Sequence, residues 1–364
     1  MLCAALGFAL VDAGVGWLDR RQAPADEGLY LKDPALGFTN RPHFRNEATH
    51  LDRYGLRNEE IPGDVPADEL RILGLGASLT YGAGGPRQEQ TWSYALEARL
   101  DAVDGGPPVR VLNGGVMGYS LLQACRRGLA LLPLVDPDLV IVFVSPGRQS
   151  LISRSGALRW ERVGDEYVPV DVVQGLPAAL RPLAATLHGW MNKSALYRRQ
   201  RTLLLEPGQR DTSWGKYTLS RAAPPPGFEE LLQRGFDEAT ALVEAAQARG
   251  AQVRFLLYPE WEQCGDAVWT RFLQAQAGRG APPLGTPRTE PMEVLAERLQ
   301  AEGGRCWSLF ELISGFARRP DEYILPNDHW TPAGHAAVAG AIAELIEGEG
   351  LLPELAAVRA RRPR

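Results

Sequence analysis

The sequence predicts an α/β protein, a three-layer α/β/α sandwich around a mostly parallel sheet, on three observations. Four short runs, Arg71 to Gly76, Val109 to Asn113, Leu139 to Val144 and Val253 to Tyr258, are apolar almost throughout. Helix-length segments separate them, and three of them run straight into small-residue loops. A strand that is apolar along its whole length is covered on both faces, which is the situation of parallel strands joined by helical crossovers. Those crossovers are expected to be right-handed.

In chain order, Gly28 to Pro66 is rich in Pro, Gly, Asn and charge without a period of 2 or 3.6, and reads as an extended lead-in that wraps the domain surface. The first strand follows, then a helix over Thr91 to Leu100, the second strand, a helix over Tyr119 to Leu132, and the third strand. Residues 151 to 225 interrupt the alternation. They hold a hairpin, Leu158 to Val170, turning at Gly164-Asp165, and then an irregular region ending in Pro224-Pro225-Pro226. A helix from Phe228 to Arg249, the fourth strand, a helix from Met292 to Ala301 and a short strand near Trp307 to Phe310 resume the pattern. Thr331 is placed to cap the last helix, with Pro332 at its first position and Gly348 near its end. The expected organisation is therefore a hydrophobic segment (1–24), the lead-in (25–69), one catalytic-type domain (70–348) with the 151–225 insertion, and a C-terminal tail (349–364).

Composition narrows the function classes. The 364 residues suffice for a sizeable core, and a net charge of −5 with scattered Arg and Glu leaves no basic, aromatic-studded stripe for nucleic acid. The Arg-rich end, Arg359 to Arg364, reads as a solvated tail. Cys3, Cys125, Cys264 and Cys306 have no metal-ligand spacing, so neither a metal nor a cofactor is expected; Cys264 and Cys306 are read equally as one disulfide or as reduced thiols. Leu2 to Leu18 is apolar except for Asp12, short for a bilayer span and without a basic leader. It reads as a membrane anchor starting upstream, or as an amphipathic helix docked on the domain.

Chemistry concentrates at the strand ends. In an open parallel sheet, ligands bind beyond the carboxyl ends of the strands. Ser78 follows the first strand, Gly114-Gly115-Val116-Met117-Gly118 the second, and Ser145-Pro146-Gly147-Arg148 the third, while His329 lies on the last loop. A serine hydroxyl becomes a nucleophile when a base takes its proton, and a histidine base needs a group that fixes its tautomer. Ser78, His329 and a nearby carboxylate fit these roles. His335, in the final helix among Ala and Val, reads instead as a core or boundary histidine. The dinucleotide fingerprint fails because Leu79 stands where its third glycine belongs.

With these residues in place the chain resembles the SGNH (GDSL-type) hydrolases, in particular bacterial, membrane-anchored or exported members. Gly76-Ala77-Ser78-Leu79-Thr80 resembles the first block, with Ala77 where Asp is usual, Asn113 to Tyr119 the second, and His329-Trp330-Thr331-Pro332-Ala333-Gly334-His335 the last. Asp33 to Phe38 and Tyr54-Gly55-Leu56-Arg57 are similar to the region preceding the domain. The resemblance implies a serine esterase acting on acyl groups of lipid or envelope polysaccharide, at the membrane or outside the cytoplasm. It implies Ser78 as nucleophile, His329 as base, Asp328 as its orienting acid, and an oxyanion hole from the amides of Ser78 and Gly118 with Gly147 at the third position. An acyltransferase with the same triad and a catalytically weak binding protein on the same fold are the alternatives.

Two departures stand out. Gly147 occupies the position of the family's oxyanion Asn, and removing such a donor costs about a hundred- to a thousandfold in rate, so Gly147→Asn is expected to raise turnover about tenfold. The positions where the family's acid stands are Pro326 and Asn327, so Asp328 serves only if a tight turn swings it toward His329; Asp321 and Glu322 are the substitutes. The insertion is expected to line the acyl or sugar cleft.

Overall fold

A computed structural model of the chain describes residues 28–33, 35–61, 66, 68–103, 106–152, 160–163, 166–169, 176–191, 194, 217, 228–278, 287–325 and 328–361. The chain divides into two compact units, Met1–Thr39 with Ala157–Thr212, and Asn40–Gly156 with Ser213–Arg364. From the N-terminus, β1 (Tyr30–Asp33) and β2 (Gly37–Asn40) form a two-stranded sheet. Next come β3 (Leu70–Leu75), α1 (Ser78–Tyr81), α2 (Trp92–Asp101), β4 (Val109–Asn113), α3 (Leu121–Val135), β5 (Leu139–Val144) and α4 (Arg148–Leu151). The smaller unit supplies β6 (Trp160–Val163), β7 (Glu166–Pro169) and α5 (Arg181–Met191). The larger unit closes with α6 (Phe228–Ala248), β8 (Gln252–Leu257), α7 (Asp266–Gly278), α8 (Glu290–Ala301) and β9 (Cys306–Ser308). Last come α9 (Phe310–Phe316), α10 (Pro320–Tyr323), α11 (Pro332–Gly348) and α12 (Leu351–Arg359).

The central sheet has the order β4-β3-β5-β8-β9, and its pairings among the described residues are parallel. Strand side chains alternate between two cores. Leu73, Leu75, Val140, Val142, Val253 and Phe255 pack with α3, α6 and α8. Ile72, Ile141, Phe143 and Leu256 pack with α2, α9, α11 and α12 on the other face. Both faces are thereby closed, which is why the strands are apolar at most positions. This is the three-layer α/β/α sandwich expected from the sequence.

Some expectations change. Residues 351–359, placed in the C-terminal tail by the sequence, form a packed helix: α12 buries Leu351, Leu352 and Leu355, and Arg359 Nη1 reaches the buried Asp138 carboxylate at 2.8 Å, while residues 362–364 lie outside the described residues. The apolar Leu351-Leu352 pair and Leu355 cover the end of the second core, which the Arg content hides in the sequence. The part of the lead-in within the larger unit, through residue 61, is exposed at Arg41, His43, Arg45, Glu47, Arg53, Glu59 and Glu60 and is otherwise partly or fully buried. Asn40, Asp52, Arg57 and Asn58 are buried, and the segment shields the edge strand β4, where Asn58 Nδ2 donates to Val111 O at 2.9 Å and Asn113 N donates to Asn58 Oδ1 at 2.8 Å. Its lack of period reflects side chains bonding backbone rather than packing as an element. β6 and β7 pair antiparallel as the predicted hairpin requires, while its turn at Gly164-Asp165 and the segment Leu2 to Leu18 lie outside the described residues. Cys125, Cys264 and Cys306 are free thiols.

Candidate active site

Ser78 stands at the carboxyl end of β3, the second strand of the sheet, as the first residue of α1. It is half-buried, and its hydroxyl makes no hydrogen bond among the described residues. The turn is held from beneath by backbone. Gly114 N donates to Gly74 O at 2.7 Å and Val116 N to Gly76 O at 3.0 Å, so the β3–β4 pairing continues past the strands into the loop after β4. That loop lies directly on α1: a Cβ at Gly115 would stand 2.8 Å from Thr80 C and overlap the Tyr81 amide, so only glycine permits the approach.

The lead-in supplies Arg57, whose surroundings nothing in its local sequence announces. Arg57 is 1% exposed, and its guanidinium lies over the Tyr81 ring, 4.9 Å from the centroid. It donates to Tyr81 O at 2.9 Å, Gly82 O at 2.7 Å, Ala48 O at 2.9 Å and Pro86 O at 2.7 Å. Two of these carbonyls belong to the end of the helix that begins with Ser78, where intrahelical donors have run out. Asn113 Nδ2 also donates to Tyr81 O, at 3.3 Å.

Two amides at this edge are open. Those of Ser78 and Gly118 donate no hydrogen bond among the described residues, and Gly118 stands on the loop whose start is tied to β3. Gly147, on the loop after β5, is differently engaged, because its N–H donates to Ser145 Oγ at 3.3 Å. Ser145 Oγ in turn donates to Glu260 Oε1. Glu260 follows β8 and is fixed by its N–H donating to Gln263 Oε1 at 3.0 Å. A Cβ at position 147 would overlap the Glu260 carboxylate and stand 2.7 Å from its Cδ. A carboxylate therefore fills the space into which an asparagine at 147 would project, a relationship between residues 113 positions apart that no local pattern announces.

This reverses the expectation for Gly147→Asn. The new side chain has to displace a hydrogen-bonded carboxylate in a packed loop, at a cost of about 1–3 kcal/mol. Turnover on a short-chain aryl ester is expected to fall about tenfold instead of rising, with a lower melting temperature, and the added Glu260→Ala substitution should recover part of both. Parallel thermal denaturation and ester hydrolysis assays check this.

His329 sits on a tight hairpin between α10 and α11. Leu325 N donates to His329 O at 2.7 Å, Asp328 N to Leu325 O at 3.0 Å and Thr331 N to Tyr323 O at 3.0 Å. Trp330 packs edge-on to Tyr258, at the end of β8, with centroids 6.1 Å apart. Thr331 caps α11 by accepting from Gly334 N at 3.1 Å, as its position before Pro332 predicts. The turn that Asp328 requires is present, since its φ is +62°, but its carboxylate is exposed and makes no hydrogen bond or ion pair among the described residues. Of the substitutes, Glu322 pairs with Arg319 at 2.8 Å, while Asp321 is exposed. Pro326 and Asn327 lie outside the described residues.

The serine and histidine loops are joined through a buried path. Trp92 Nε1 donates to Thr80 O at 2.7 Å, and Trp92 N donates to His335 Nδ1 at 3.3 Å. His335 is fully buried on α11, close enough to His329 for their charges to interact. Ser78 and His329 are thus brought to one edge without a hydrogen bond between them.

Burial, with the charges of Arg57 and His329 added, lowers the His335 pKa to about 3. The unfolded chain takes up the proton first, near its ordinary value of 6.5, so the contribution of His335 to stability is complete above that value. It is lost as pH falls from there toward 3, with a slope of at most about 1.4 kcal/mol per pH unit. His335→Gln is expected to be less stable than wild type at neutral pH, with the gap narrowing as pH drops. Urea midpoints measured on both sides of pH 6.5 test the sign.

No family model and no curated protein sequence matches the chain. Among solved structures it is similar to the psychrotrophic esterase EstA from Pseudoalteromonas sp., with 16% identity over 77% of this chain and 97% of that one and a TM-score of 0.37. It is also similar to the lipase/acylhydrolase from Enterococcus faecalis, with 12% identity over 77% and 96% and a TM-score of 0.39. A catalytic mutant of Axe2, an acetylxylan esterase from Geobacillus stearothermophilus, matches with 12% identity over 83% and 100% and a TM-score of 0.38.

Proposed function

We propose that the chain is a serine esterase of SGNH type. The observation that supports it most is the pairing of an unclaimed hydroxyl with unclaimed amides at Ser78 and Gly118, on the sheet edge that also receives the His329 hairpin. Ser78 Oγ attacks the ester carbonyl carbon while His329 takes the hydroxyl proton, and the carbonyl electron pair moves onto the oxygen between the two amides. Collapse expels the alcohol, which receives that proton from His329. Water, deprotonated by the same histidine, then attacks the acyl-enzyme, and collapse releases the acid as His329 returns the proton to Ser78 Oγ. Acyl groups on lipid or envelope polysaccharide are the substrate class the sequence resemblance implies.

Asp328 acts on His329 by charge. Neighbouring Cα atoms are about 3.8 Å apart, and the left-handed turn bends the chain between them. An exposed carboxylate acting this way is worth far less than a buried triad acid. Asp328→Asn is expected to lower turnover about tenfold, and Asp321→Ala and Glu322→Gln less; a Glu322→Gln loss exceeding that of Asp328→Asn would return Asp328 to the role of turn residue.

The Glu260 carboxylate in the third-loop space favours a second reading, a catalytically weak binding protein on this fold, because an anion there opposes an oxyanion. Screening wild type against short-chain aryl esters and acetylated sugars separates the two: turnover above background on either supports the esterase, and none on both supports the binding protein. An acyltransferase with the same serine would show turnover that rises when an acceptor alcohol is added.

A further inference from the structure

We infer that His335 is a positioning residue: with Trp92 it forms a buried strut that sets how far the His329 hairpin stands from the Ser78 turn. The inference rests on the esterase reading above. Trp92 is the rigid half of the strut. Its indole lies across β3 at Gly74, where a Cβ would overlap the ring, and its centroid is 4.7 Å from that of Phe143 on β5. From there Nε1 donates to Thr80 O at 2.7 Å, two residues after Ser78.

His335 is the other half, fully buried on α11, the helix that begins three residues after His329. Its Nδ1 accepts from Trp92 N at 3.3 Å, its Cε1 lies 3.6 Å from where a Cβ at Gly82 would stand, and its ring is edge-on to Trp330 with centroids 5.5 Å apart. Gly82 closes α1 by donating to Ser78 O at 2.9 Å, and Trp330 directly follows His329. One ring therefore meets the end of the nucleophile's helix and the neighbour of the base. Packing alone does not call for histidine here. A hydrocarbon would fill the space but leave the Trp92 N–H, buried at the start of α2, without its acceptor. A neutral imidazole accepts at Nδ1 and carries its proton on Nε2, so it bonds Trp92 without adding a positive charge beside Arg57. The spacing it sets matters because a displacement of about 1 Å between reacting groups can cost about a hundredfold in rate.

The test compares His335→Asn with His335→Gln in the full chain. Both remove the ring and supply a carboxamide, but the Asn oxygen stands as many bonds from the backbone as Nδ1 and can accept from Trp92 N–H, whereas Gln places its oxygen one bond farther out. On a short-chain aryl ester, and per folded molecule, His335→Gln is expected to lower kcat about ten- to a hundredfold with KM within about twofold, and His335→Asn to stay within about threefold of wild type. A second readout needs no activity. With isotope-labelled histidine, the His329 Cε1–H resonance is expected to move in His335→Gln and to keep its wild-type position in His335→Asn. A wild type without turnover removes the esterase reading, and the resonance then decides on His335 by itself. Equal kcat in the two variants, or a His329 resonance that stays in place in His335→Gln, would overturn the inference, since loss of ring packing affects both alike. Should His335→Gln fail to fold, Trp92→Phe takes its place, because it removes the Nε1 donor to Thr80 O and keeps a ring against Phe143; full kcat in that variant would overturn the inference as well.

Discussion

Replacing Ser78 with alanine is expected to lower ester hydrolysis by roughly four to six orders of magnitude, the range seen when the nucleophile of a serine enzyme is removed. What survives is the contribution of binding and of the oxyanion donors, which Ser78→Ala retains because the Ser78 donor is a backbone amide. The fold should not suffer. The hydroxyl is half-buried and makes no hydrogen bond among the described residues, so the change in stability is expected to stay within about 0.5 kcal/mol. This combination, a collapse in rate with unchanged denaturation, separates a nucleophile from a serine that only shapes its turn. A variant that keeps wild-type turnover would remove Ser78 from the mechanism.

The second large effect lies away from the reacting atoms. Arg57→Ala is expected to destabilise the protein by about 3–5 kcal/mol, out of the roughly 5–15 kcal/mol that holds a typical domain. The carbonyls of Ala48, Gly82 and Pro86 lose this donor outright and Tyr81 O keeps only Asn113 Nδ2, and unsatisfied buried acceptors cost about 1–3 kcal/mol each before relaxation. Arg57→Lys should recover little, because an ammonium cannot spread its donors over the fork that the guanidinium spans. Since two of the carbonyls end the helix begun by Ser78, activity should fall further than the folded fraction does. Chemical denaturation paired with turnover corrected for folded protein measures both parts. Equal stability of Arg57→Ala and wild type would show that water satisfies those carbonyls and that the lead-in is only draped over the domain.

The sequence made the sheet legible because burial on both faces leaves strands that are apolar at most positions; β4 and β5 fall on the predicted residues, Val109–Asn113 and Leu139–Val144. The Thr331-Pro332 start of α11 was legible for a local reason too, since the cap and the missing proline donor act within one turn. What stayed hidden is long-range. Arg57 lies 24 residues before Tyr81, and its significance comes from carbonyls that carry no sequence signature. Glu260 meets Gly147 only because β8 lies beside β5, so the absent asparagine could be noticed from the chain but not the carboxylate that fills its space. α7 and α12 escaped notice because their apolar residues form short patches rather than a sustained stripe.

The placement of the candidate residues is likewise mixed. Ser78, Gly118 and Gly147 follow three adjacent parallel strands, as their order in the sequence implies once the strands are known. The Asp328 carboxylate was expected to need a tight turn; the turn is there, yet the carboxylate remains in solvent. Backbone geometry was inferable from adjacency, whereas side-chain engagement depends on what stands opposite.

The most direct measurement of the central claim is reaction of the purified chain with a fluorophosphonate, followed by peptide mass spectrometry to locate the adduct. An activated serine loses its proton to His329 as its oxygen bonds phosphorus and fluoride departs, so a single adduct on Ser78 is expected, forming at least about a hundredfold more slowly in His329→Ala, the scale of general-base assistance. Failure of Ser78 to label, or labelling at the same rate without His329, would contradict the account.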